Sequence, residues 1–332
     1  MRNARRDRLA IPAPYALRVR LVRASVALAV LLAVTACSDT KKPHALPSSE
    51  SSSAAPACAK PHTAGQSTET LDFRGVSRTY ELYVPPVYDG TRNVPVVFDF
   101  HGFGSNAKEQ IVYGNFKPEA DRDDFVIVAP DGQGDAGRHF NLTGEGRLQD
   151  DVAMVGALLD RVEATLCIDA KRVYATGMSD GGAMTSFLAC RASDRFAAFG
   201  PVAVILFLPG CNPPHPVAIT AFMGTADPVV PFDGGPVHCC GGATLGAAPD
   251  SMAKWAEHDG CTPTFSDERL GTEVRKRKWT GCHSGGDVTF FIIDGGGHTW
   301  PGSIPIASLG LTTKQIDASA TLWDFFKSHS LS

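Results

Sequence analysis

From residue 58 onward, short apolar runs alternate with polar stretches that are rich in glycine and proline. Residues 94–100 and 125–129 are almost continuously apolar, and runs of this length are typical of strands buried on both faces of a parallel sheet. Further runs of this kind occupy residues 172–176, 199–206, 217–223 and 288–293. Residues 71–73 and 79–84 have the pattern of two paired strands around a short turn.

Segments with helical spacing lie between these runs. After Asp150 and Asp151, which can cap a helix, apolar residues follow in steps of three and four along residues 152–166 and form one stripe. Helices are also predicted at residues 182–188, 251–258 and 315–328. Strands that alternate with helices indicate an α/β fold, with a mostly parallel central sheet flanked by helices. The predicted domain spans residues 58–332.

The first 36 residues have the pattern of an export signal rather than of a folded domain. Seven arginines precede an apolar run at residues 26–34, and small residues follow it directly before Cys37. The apolar run is well short of the roughly 20 residues that a membrane-spanning helix needs. Residues 1–36 are therefore predicted to be a signal peptide.

Residues 34–37 resemble a bacterial lipobox, in which the cysteine is lipidated and becomes the mature N-terminus. Residues 37–57 would then comprise the lipidated Cys37 and a flexible tether, because serine, proline and alanine cannot bury a core. This pattern predicts an exported protein on the outer face of the bacterial cell membrane, with the lipid anchor as its membrane contact. In the alternative interpretation, simple cleavage releases the protein to the exterior and Cys37 has no role.

The charge of the mature chain bears on its partners. Removal of residues 1–36 takes away seven arginines and one aspartate, so the net formal charge changes from −4 to about −10. An acidic domain without a basic stripe argues against nucleic acid as a partner.

Eight cysteines follow the lipobox, and an even number in an exported protein indicates disulfide bonds. Zinc is the competing interpretation, but no cysteine pair has C-x-x-C spacing and no histidine cluster accompanies the cysteines. No metal or other cofactor is therefore predicted. We expect Cys190 to pair with Cys211 and Cys261 with Cys282, because each pair would close one local loop.

A Gly-Met-Ser-Asp-Gly sequence at residues 177–181 connects the predicted strand 172–176 to the predicted helix 182–188. It is a G-x-S-x-G elbow in the strand–turn–helix context that this motif requires. The glycines let the helix start at once, because a Cβ at either position would collide with the neighbouring strand. Ser179 is the predicted nucleophile.

A serine hydroxyl needs a general base, and the base needs an acid that orients it. Asp227 and His298 each follow the end of a predicted strand, in the chain order serine, acid, histidine that α/β-hydrolases use. Since catalytic groups of such sheets gather at the carboxyl ends of the strands, the three side chains are predicted to meet there. The glycines at residues 295–297 are expected to allow His298 to approach the nucleophile closely.

Two other aspartates compete with Asp227 for the role of the acid. Asp294 would need a tight reversal of the chain to reach His298, and Asp287 lies at the opposite end of the same strand. Asp227 is therefore the preferred acid.

The loop after the strand 94–100 reads His101-Gly102-Phe103-Gly104 and matches the HG-type loop that supplies an oxyanion-hole N–H. The predicted donors are the backbone N–H groups of Phe103 and Asp180. We expect His101 and Trp300 at the substrate-binding site, His101 mainly as a brace of this loop and Trp300 as a wall of the acyl site. Packing of the indole on the sheet edge is the alternative.

Three motifs occur in order: GMSDGGAM at residues 177–184, GTADPVVP at 224–231 and GGGHTWPG at 295–302. Together they resemble the polyhydroxybutyrate depolymerase and feruloyl esterase family of secreted α/β-hydrolases, over roughly residue 58 to the C-terminus. The resemblance implies an α/β-hydrolase fold and a serine ester hydrolase with the triad Ser179, Asp227 and His298 and no metal. It implies as substrates polyhydroxyalkanoates, feruloyl or acetyl esters of plant polysaccharides, and related short esters.

The sequence departs from that family pattern at two places. Residues 137–141 lack the tryptophan and cysteines expected there, and Cys239 and Cys240 stand where none are expected. The resulting hypothesis is an exported serine carboxylic-ester hydrolase that acts through an acyl-enzyme. A serine peptidase on the same fold is one alternative, although no propeller-sized domain precedes the core. A non-catalytic polymer-binding lipoprotein is the other, although all triad positions are filled.

Overall fold

The computed structural model describes residues 58–134, 138–142, 146 and 149–332. The predicted signal peptide, the lipobox cysteine Cys37 and the tether lie outside these residues. Within the described ranges, no helix has both the length and the apolar character needed to cross a membrane.

A ten-stranded sheet forms the centre of the described domain, and its strands are ordered β1-β2-β4-β3-β5-β6-β7-β12-β11-β10. The six central strands, from β4 to β12 in this order, run parallel, and two antiparallel strands extend the sheet at each edge. These ten strands and the small hairpin β8–β9 are β1 (Gly65–Phe73), β2 (Val76–Val84), β3 (Val94–Phe100), β4 (Val126–Pro130), β5 (Ile168–Met178), β6 (Ala198–Val202), β7 (Ala218–Gly224), β8 (Gly235–Pro236), β9 (Thr244–Leu245), β10 (Phe265–Arg269), β11 (Val274–Trp279) and β12 (Asp287–Ile293).

Helices cover both faces of this sheet, so the predicted α/β architecture is confirmed. They are α1 (Ala107–Gly114), α2 (Lys117–Asp123), α3 (Asp151–Thr165), α4 (Asp180–Arg191), α5 (Ala248–His258) and α6 (Ala318–Phe326), with a short 3-10 helix at Ala307–Leu309. Helices α3, α4 and α5 contribute to the core on one face, and α1, α2 and α6 to the core on the other. In β3, Val96 and Phe98 face the first core and Val97 faces the second, which explains why the strand is apolar at nearly every position.

Several predicted boundaries differ from those observed. The strand predicted at residues 199–206 ends at Val202, because Ala203 takes a φ of 62° that a strand cannot continue. The last helix begins at Ala318 rather than near residue 315, because the side chain of Asp317 accepts a hydrogen bond from the N–H of Ala320 and caps it. Helices α1 and α2 and the strands β10 and β11 were not predicted.

Disulfide bonds join all eight cysteines of the described domain. The two predicted pairs, Cys190–Cys211 and Cys261–Cys282, are both present. Cys58 is joined to Cys167, which ties the start of the domain to the beginning of β5. The adjacent residues Cys239 and Cys240 are bonded to each other.

Candidate active site

Ser179 lies on the turn between β5 and α4, where its backbone is held in an unusual conformation. Its φ of 58° and ψ of −115° lie outside the regions that residues with a Cβ normally adopt. The N–H of Ser179 donates to the carbonyl of Val202 on β6 at 2.9 Å, which fixes the turn against the neighbouring strand. Such backbone strain persists only where the surroundings impose it, and it is concentrated at functional sites.

The glycines of the elbow are required by the closeness of adjacent backbone. A Cβ at Gly181 would lie 2.0 Å from the carbonyl oxygen of Phe100, and a Cβ at Gly177 would lie 2.6 Å from the same atom. A Cβ at Gly182 would lie 2.7 Å from the carbonyl oxygens of Val202 and Val204. The elbow therefore fits between β3 and β6 only without these side chains, as the sequence predicted.

Asp227 and His298 are hydrogen-bonded although 71 residues separate them. Nδ1 of His298 lies 2.7 Å from Oδ2 of Asp227, and only 5% and 0% of the two side chains are exposed. The other carboxylate oxygen, Oδ1, accepts the N–H groups of Val229 and Val230, both at 2.8 Å. The carboxylate is therefore fixed on both oxygens, and it can hold the imidazole in the tautomer that carries its proton on Nδ1.

The two rival aspartates are engaged elsewhere. Asp294 accepts from Arg275 at 2.7 Å and from Arg269 at 3.1 Å, on the outer strands of the sheet. Asp287 pairs with Lys278 at 3.1 Å. Among the described residues, the carboxylate hydrogen-bonded to His298 is that of Asp227.

The glycines before His298 have a different neighbour from the one expected. A Cβ at Gly297 would lie 2.1 Å from the carbonyl oxygen of Leu309, and a Cβ at Gly224 would lie 2.2 Å from that of Gly296. The N–H of His298 also donates to the carbonyl of Leu309 at 2.7 Å. The glycine run therefore allows the histidine loop to pack on the segment around Leu309 and on the end of β7, not on Ser179.

Ser179 and His298 line the same cavity, which has a volume of about 790 Å³. Helix α1 forms one of its walls, and we call it the α1 cavity. Within the described residues, no hydrogen bond joins the two side chains. Catalytic hydrogen bonds are often long without substrate and tighten only when it binds.

The loop after β3 lies directly against the elbow. A Cβ at Gly102 would be 3.4 Å from Cβ of Ser179, so the two backbones are in close contact. In the part of the chain that the structure describes, no hydrogen bond uses the N–H of Phe103 or of Asp180. These two N–H groups are thus available as donors beside the serine, where the sequence predicted an oxyanion hole.

His101 is buried behind this loop and does not line the α1 cavity. Its Nε2 accepts the N–H of Gly132 at 2.8 Å, so its proton is on Nδ1, which donates to the carbonyl of Gly102 at 2.7 Å. Burial lowers the pKa of this imidazole. Because the peptide is planar, holding the carbonyl of Gly102 also orients the N–H of Phe103. The predicted bracing role agrees with these contacts, whereas a contact of His101 with substrate does not.

Trp300 is 1% exposed and also lies outside the cavity wall. Its indole N–H donates to Oγ of Ser319 at 2.9 Å, and its ring packs edge-on against Phe116 with centroids 6.0 Å apart. The expectation that Trp300 walls the acyl site is therefore corrected, because α6 and the segment before α2 cover the ring. Its backbone N–H donates to the hydroxyl of Tyr113, which does line the cavity.

The carboxylate of Asp180 is turned toward the loop around residue 140. Oδ2 accepts the N–H of Phe140 at 2.7 Å. Removal from water raises the pKa of Asp180 to about 6, and the hydrogen bond from Phe140 opposes this rise.

A second cavity of about 980 Å³ also reaches Ser179, on the side of α5. We call it the α5 cavity. Four residues line both cavities and stand between them: Phe103, Ser179, Cys239 and Cys240. No sequence pattern indicated this arrangement, since the residues come from three distant segments.

The mouth of the α1 cavity carries exposed apolar side chains, of which Val112 and Ile304 were not predicted from the sequence. Val112 is 59% exposed, Ile304 58% and Phe103 41%. Contiguous apolar groups at a surface mark binding sites more often than isolated ones do. A signal was present for Val112, because the remainder of α1 is amphipathic and a valine on its outer face is anomalous.

Comparison with known proteins identifies the family. A family model described as Esterase PHB depolymerase matches residues 78–232. The protein named "Feruloyl esterase C" from Emericella nidulans is 31% identical over 252 residues, which cover 73% of this chain and 82% of that protein. The chain belongs to the polyhydroxybutyrate depolymerase and feruloyl esterase-like family. It is therefore an ester hydrolase.

A second relative and a solved structure are also similar to this esterase. "Feruloyl esterase B" from Piromyces equi is 29% identical over 222 residues, or 64% of this chain, and the chain spans only 41% of the length of that relative. The solved structure "Acetyl xylan esterase from Aspergillus awamori" matches with a TM-score of 0.55 at 14% identity, covering 79% of this chain and 99% of that one. At this identity the match bears on the fold alone, and it confirms the predicted α/β-hydrolase fold.

Proposed function

We propose that this esterase is an exported serine carboxylic-ester hydrolase that works through an acyl-enzyme, with Ser179 as nucleophile, His298 as base and Asp227 as orienting acid. The observation that carries this proposal is the 2.7 Å hydrogen bond between Asp227 and His298, together with the position of His298 and Ser179 on one cavity wall. The strained backbone of Ser179 supports the role of nucleophile.

In the acylation step, Oγ of Ser179 attacks the ester carbonyl carbon while Nε2 of His298 takes the hydroxyl proton. The electron pair of the carbonyl moves to its oxygen, which the N–H groups of Phe103 and Asp180 stabilise. Each such donor contributes about 3–4 kcal/mol to the transition state. The imidazolium that forms is stabilised by the buried carboxylate of Asp227 at Nδ1.

The tetrahedral intermediate then breaks its bond to the alcohol oxygen, and His298 gives its proton to this leaving group. Water next attacks the acyl carbon as His298 removes its proton, and the second intermediate expels Oγ of Ser179, which regains a proton from His298. The products are a carboxylic acid and an alcohol, and no metal is required in this sequence.

The proposed substrate class rests on the family of the chain, and the cavity walls are compatible with it. The α1 cavity is bordered by exposed apolar side chains, including Val112 and Ile304, which suit an aliphatic or aromatic acyl chain. We therefore propose polyhydroxyalkanoates, or feruloyl or acetyl esters of plant polysaccharides, as substrates. A panel of acetyl, butyryl, oligo(hydroxybutyryl) and feruloyl esters will rank them by kcat/KM.

The nucleophile is tested by the Ser179→Ala variant. We expect turnover of p-nitrophenyl butyrate to fall by about 10⁶, with an unchanged melting temperature. A fluorophosphonate probe should label the wild type and a Ser266→Ala control on the exposed strand β10, but not Ser179→Ala. A variant that keeps most of its activity or its label would exclude Ser179.

We also propose that the chain is anchored through a lipid on Cys37. The support is the lipobox pattern and the apolar run before it, and the four disulfides of the domain fit an oxidising compartment. In a bacterial host fed radiolabelled palmitate, the wild type should incorporate label and Cys37→Ala should not. Equal labelling of both chains, or of neither, would contradict the anchor.

A further inference from the structure

The disulfide between Cys239 and Cys240 occupies a special position relative to Ser179. Both cysteines line the α1 cavity and the α5 cavity, as do Phe103 and Ser179. An ester bound at Ser179 extends its acyl group and its alkoxy group in different directions from the carbonyl carbon. If each group enters one cavity, both groups must pass the boundary that these residues form.

The segment that carries the two cysteines is tied to the loop of the catalytic acid. Residues 235–245 form a small hairpin, in which β8 pairs with β9 and the N–H of Val237 donates to the carbonyl of Ala243 at 2.7 Å. The N–H of His238 donates to the carbonyl of Val229 at 2.8 Å, and its Nδ1 donates to that of Pro228 at 2.9 Å. The hairpin tip is therefore positioned by the same loop that positions Asp227.

A role in overall stability does not explain this disulfide. Its cysteines are adjacent, so the bond closes only a small ring through one peptide bond and removes little entropy from the unfolded state. The Cys58–Cys167 bond, by contrast, spans 109 positions. Cys240 is also exposed and Cys239 half-buried, whereas a bond that stabilises a core would lie within it.

We propose that the Cys239–Cys240 disulfide is a specificity determinant, a rigid apolar wall that contacts both the acyl and the alcohol part of the ester. A disulfide between neighbours locks the tip of the hairpin into one conformation, and its sulfur atoms are polarisable and contact aliphatic and aromatic groups favourably. The proposal rests on the proposed function of Ser179, because the two arms of the substrate are defined by the site of attack.

The test compares the Cys239→Ser/Cys240→Ser variant with the wild type on two ester series. One series varies the acyl chain in p-nitrophenyl esters from acetate to decanoate, and the other varies the alcohol in butyrates from methyl to benzyl. We expect the ratio of kcat/KM for the largest to the smallest member to fall by at least about fivefold in both series, since apolar contact grows with buried area. The melting temperature should stay close to that of the wild type.

The matched control is Cys261→Ser/Cys282→Ser, which removes a disulfide that lines neither cavity. It should lower the melting temperature and leave both ratios unchanged. Unchanged ratios in the Cys239→Ser/Cys240→Ser variant, an equal loss for all members, or a change in one series alone would overturn the proposal.

Mild reduction of the wild type gives a second measurement that needs no substitution. Mass spectrometry should map two free thiols to Cys239 and Cys240, and both kcat/KM ratios should fall as they do in the double variant. Reoxidation should restore both ratios to their wild-type values. Ratios that stay constant through reduction would overturn the proposal. Failure of Ser179→Ala to lose activity would instead count against the proposed function, so the two failures are distinguishable.

Discussion

Nδ1 of His298 and Oδ2 of Asp227 are 2.7 Å apart, and both side chains are almost completely removed from water. In such surroundings a carboxylate both fixes the imidazole tautomer and stabilises the imidazolium that forms when the nucleophile is deprotonated. Asp227 in turn is held by two backbone N–H groups, so its position does not depend on the histidine.

The first prediction concerns this pair. Asp227→Asn should reduce kcat for p-nitrophenyl butyrate by about 10³–10⁴ with little change in KM, because the amide favours the wrong tautomer. The control is Asp294→Asn, which removes the rival carboxylate from its arginine partners and should leave kcat nearly unchanged. A larger loss of kcat in Asp294→Asn than in Asp227→Asn would reverse the assignment of the acid.

The second prediction concerns the packing of the elbow. Gly181→Ala places a Cβ 2.0 Å from a backbone oxygen, so the free energy of unfolding should fall by more than about 3 kcal/mol or the protein should fail to fold. Gly156→Ala in α3 is the control, since a Cβ there meets nothing within 4 Å. Because alanine has a higher helix propensity than glycine, Gly156→Ala should raise the free energy of unfolding by about 0.5–1 kcal/mol. Urea titrations measure both variants. Equal changes in the free energy of unfolding for the two variants would contradict the close packing of the elbow at Gly181.

The third prediction concerns pH. The pKa of Asp180 is about 6 in the folded protein, above the ordinary value of 3.8, so between these pH values the folded state binds a proton that the unfolded chain has released. The contribution of this group to the free energy of unfolding is therefore complete below pH 3.8 and is lost as the pH rises through 6. Asp180→Asn should flatten this slope and raise the free energy of unfolding at pH 8 by up to about 3 kcal/mol.

The same Asp180→Asn variant should keep most of its esterase activity, because the N–H predicted to stabilise the oxyanion belongs to the backbone. Asp160→Asn, a carboxylate with 66% of its side chain exposed, is the control and should leave the pH slope unaltered. An Asp180→Asn variant as inactive as Ser179→Ala would mean that the carboxylate itself is needed.

The fourth prediction concerns a buried ion pair beside the active-site loop. Nη2 of Arg78 lies 2.5 Å from Oδ1 of Asp151, and the two side chains are 5% and 0% exposed. Arg78→Met leaves this carboxylate without its countercharge and should lower the free energy of unfolding by about 3–5 kcal/mol. The double variant Arg78→Met/Asp151→Asn should lose less free energy of unfolding than Arg78→Met, because it no longer buries an unpaired charge.

The contrast is the exposed pair of Arg195 and Asp160, for which Arg195→Met should cost no more than about 1 kcal/mol. Chemical denaturation at pH 7 measures all three variants. If Arg78→Met and Arg195→Met lower the free energy of unfolding equally, burial does not control the strength of the ion pair between Arg78 and Asp151.

The geometry of the candidate active site was predictable because its determinants are local. The elbow, Asp227 and His298 each follow an apolar strand, and the parallel order of β5, β7 and β12 then brings the ends of these strands to one edge. The two local disulfides were predictable for the same reason. The meeting of the two cavities at Cys239 and Cys240 was not, since it depends on how a hairpin folds back over the site.

Strands β10 and β11 were missed because they are charged rather than apolar. All residues of Phe265–Arg269 are exposed, and Arg277 of β11 pairs with Asp267 of β10 at 2.8 Å. Helix α1 could have been found. Asn106 caps it through a hydrogen bond from the N–H of Glu109, and this spacing of a capping residue and an acid is a recognised start signal.

His101 and Trp300 show how residue type misleads when burial is unknown. Both residues follow catalytic strand ends, yet packing partners far along the chain, Gly132 for the imidazole and Ser319 for the indole, turn them away from the cavity. Their roles are set by tertiary contacts that the local sequence does not contain.

The left-handed backbone of Ser179 restricts which amino acids evolution can place there. Threonine carries the same hydroxyl, but its branched Cβ is poorly tolerated at this φ, so the fold would be weakened before any reaction took place. Cysteine is unbranched and suits the same backbone. On the proposed role of Ser179, this backbone would therefore accept a sulfur nucleophile in place of the oxygen one, but would not accept threonine in place of serine.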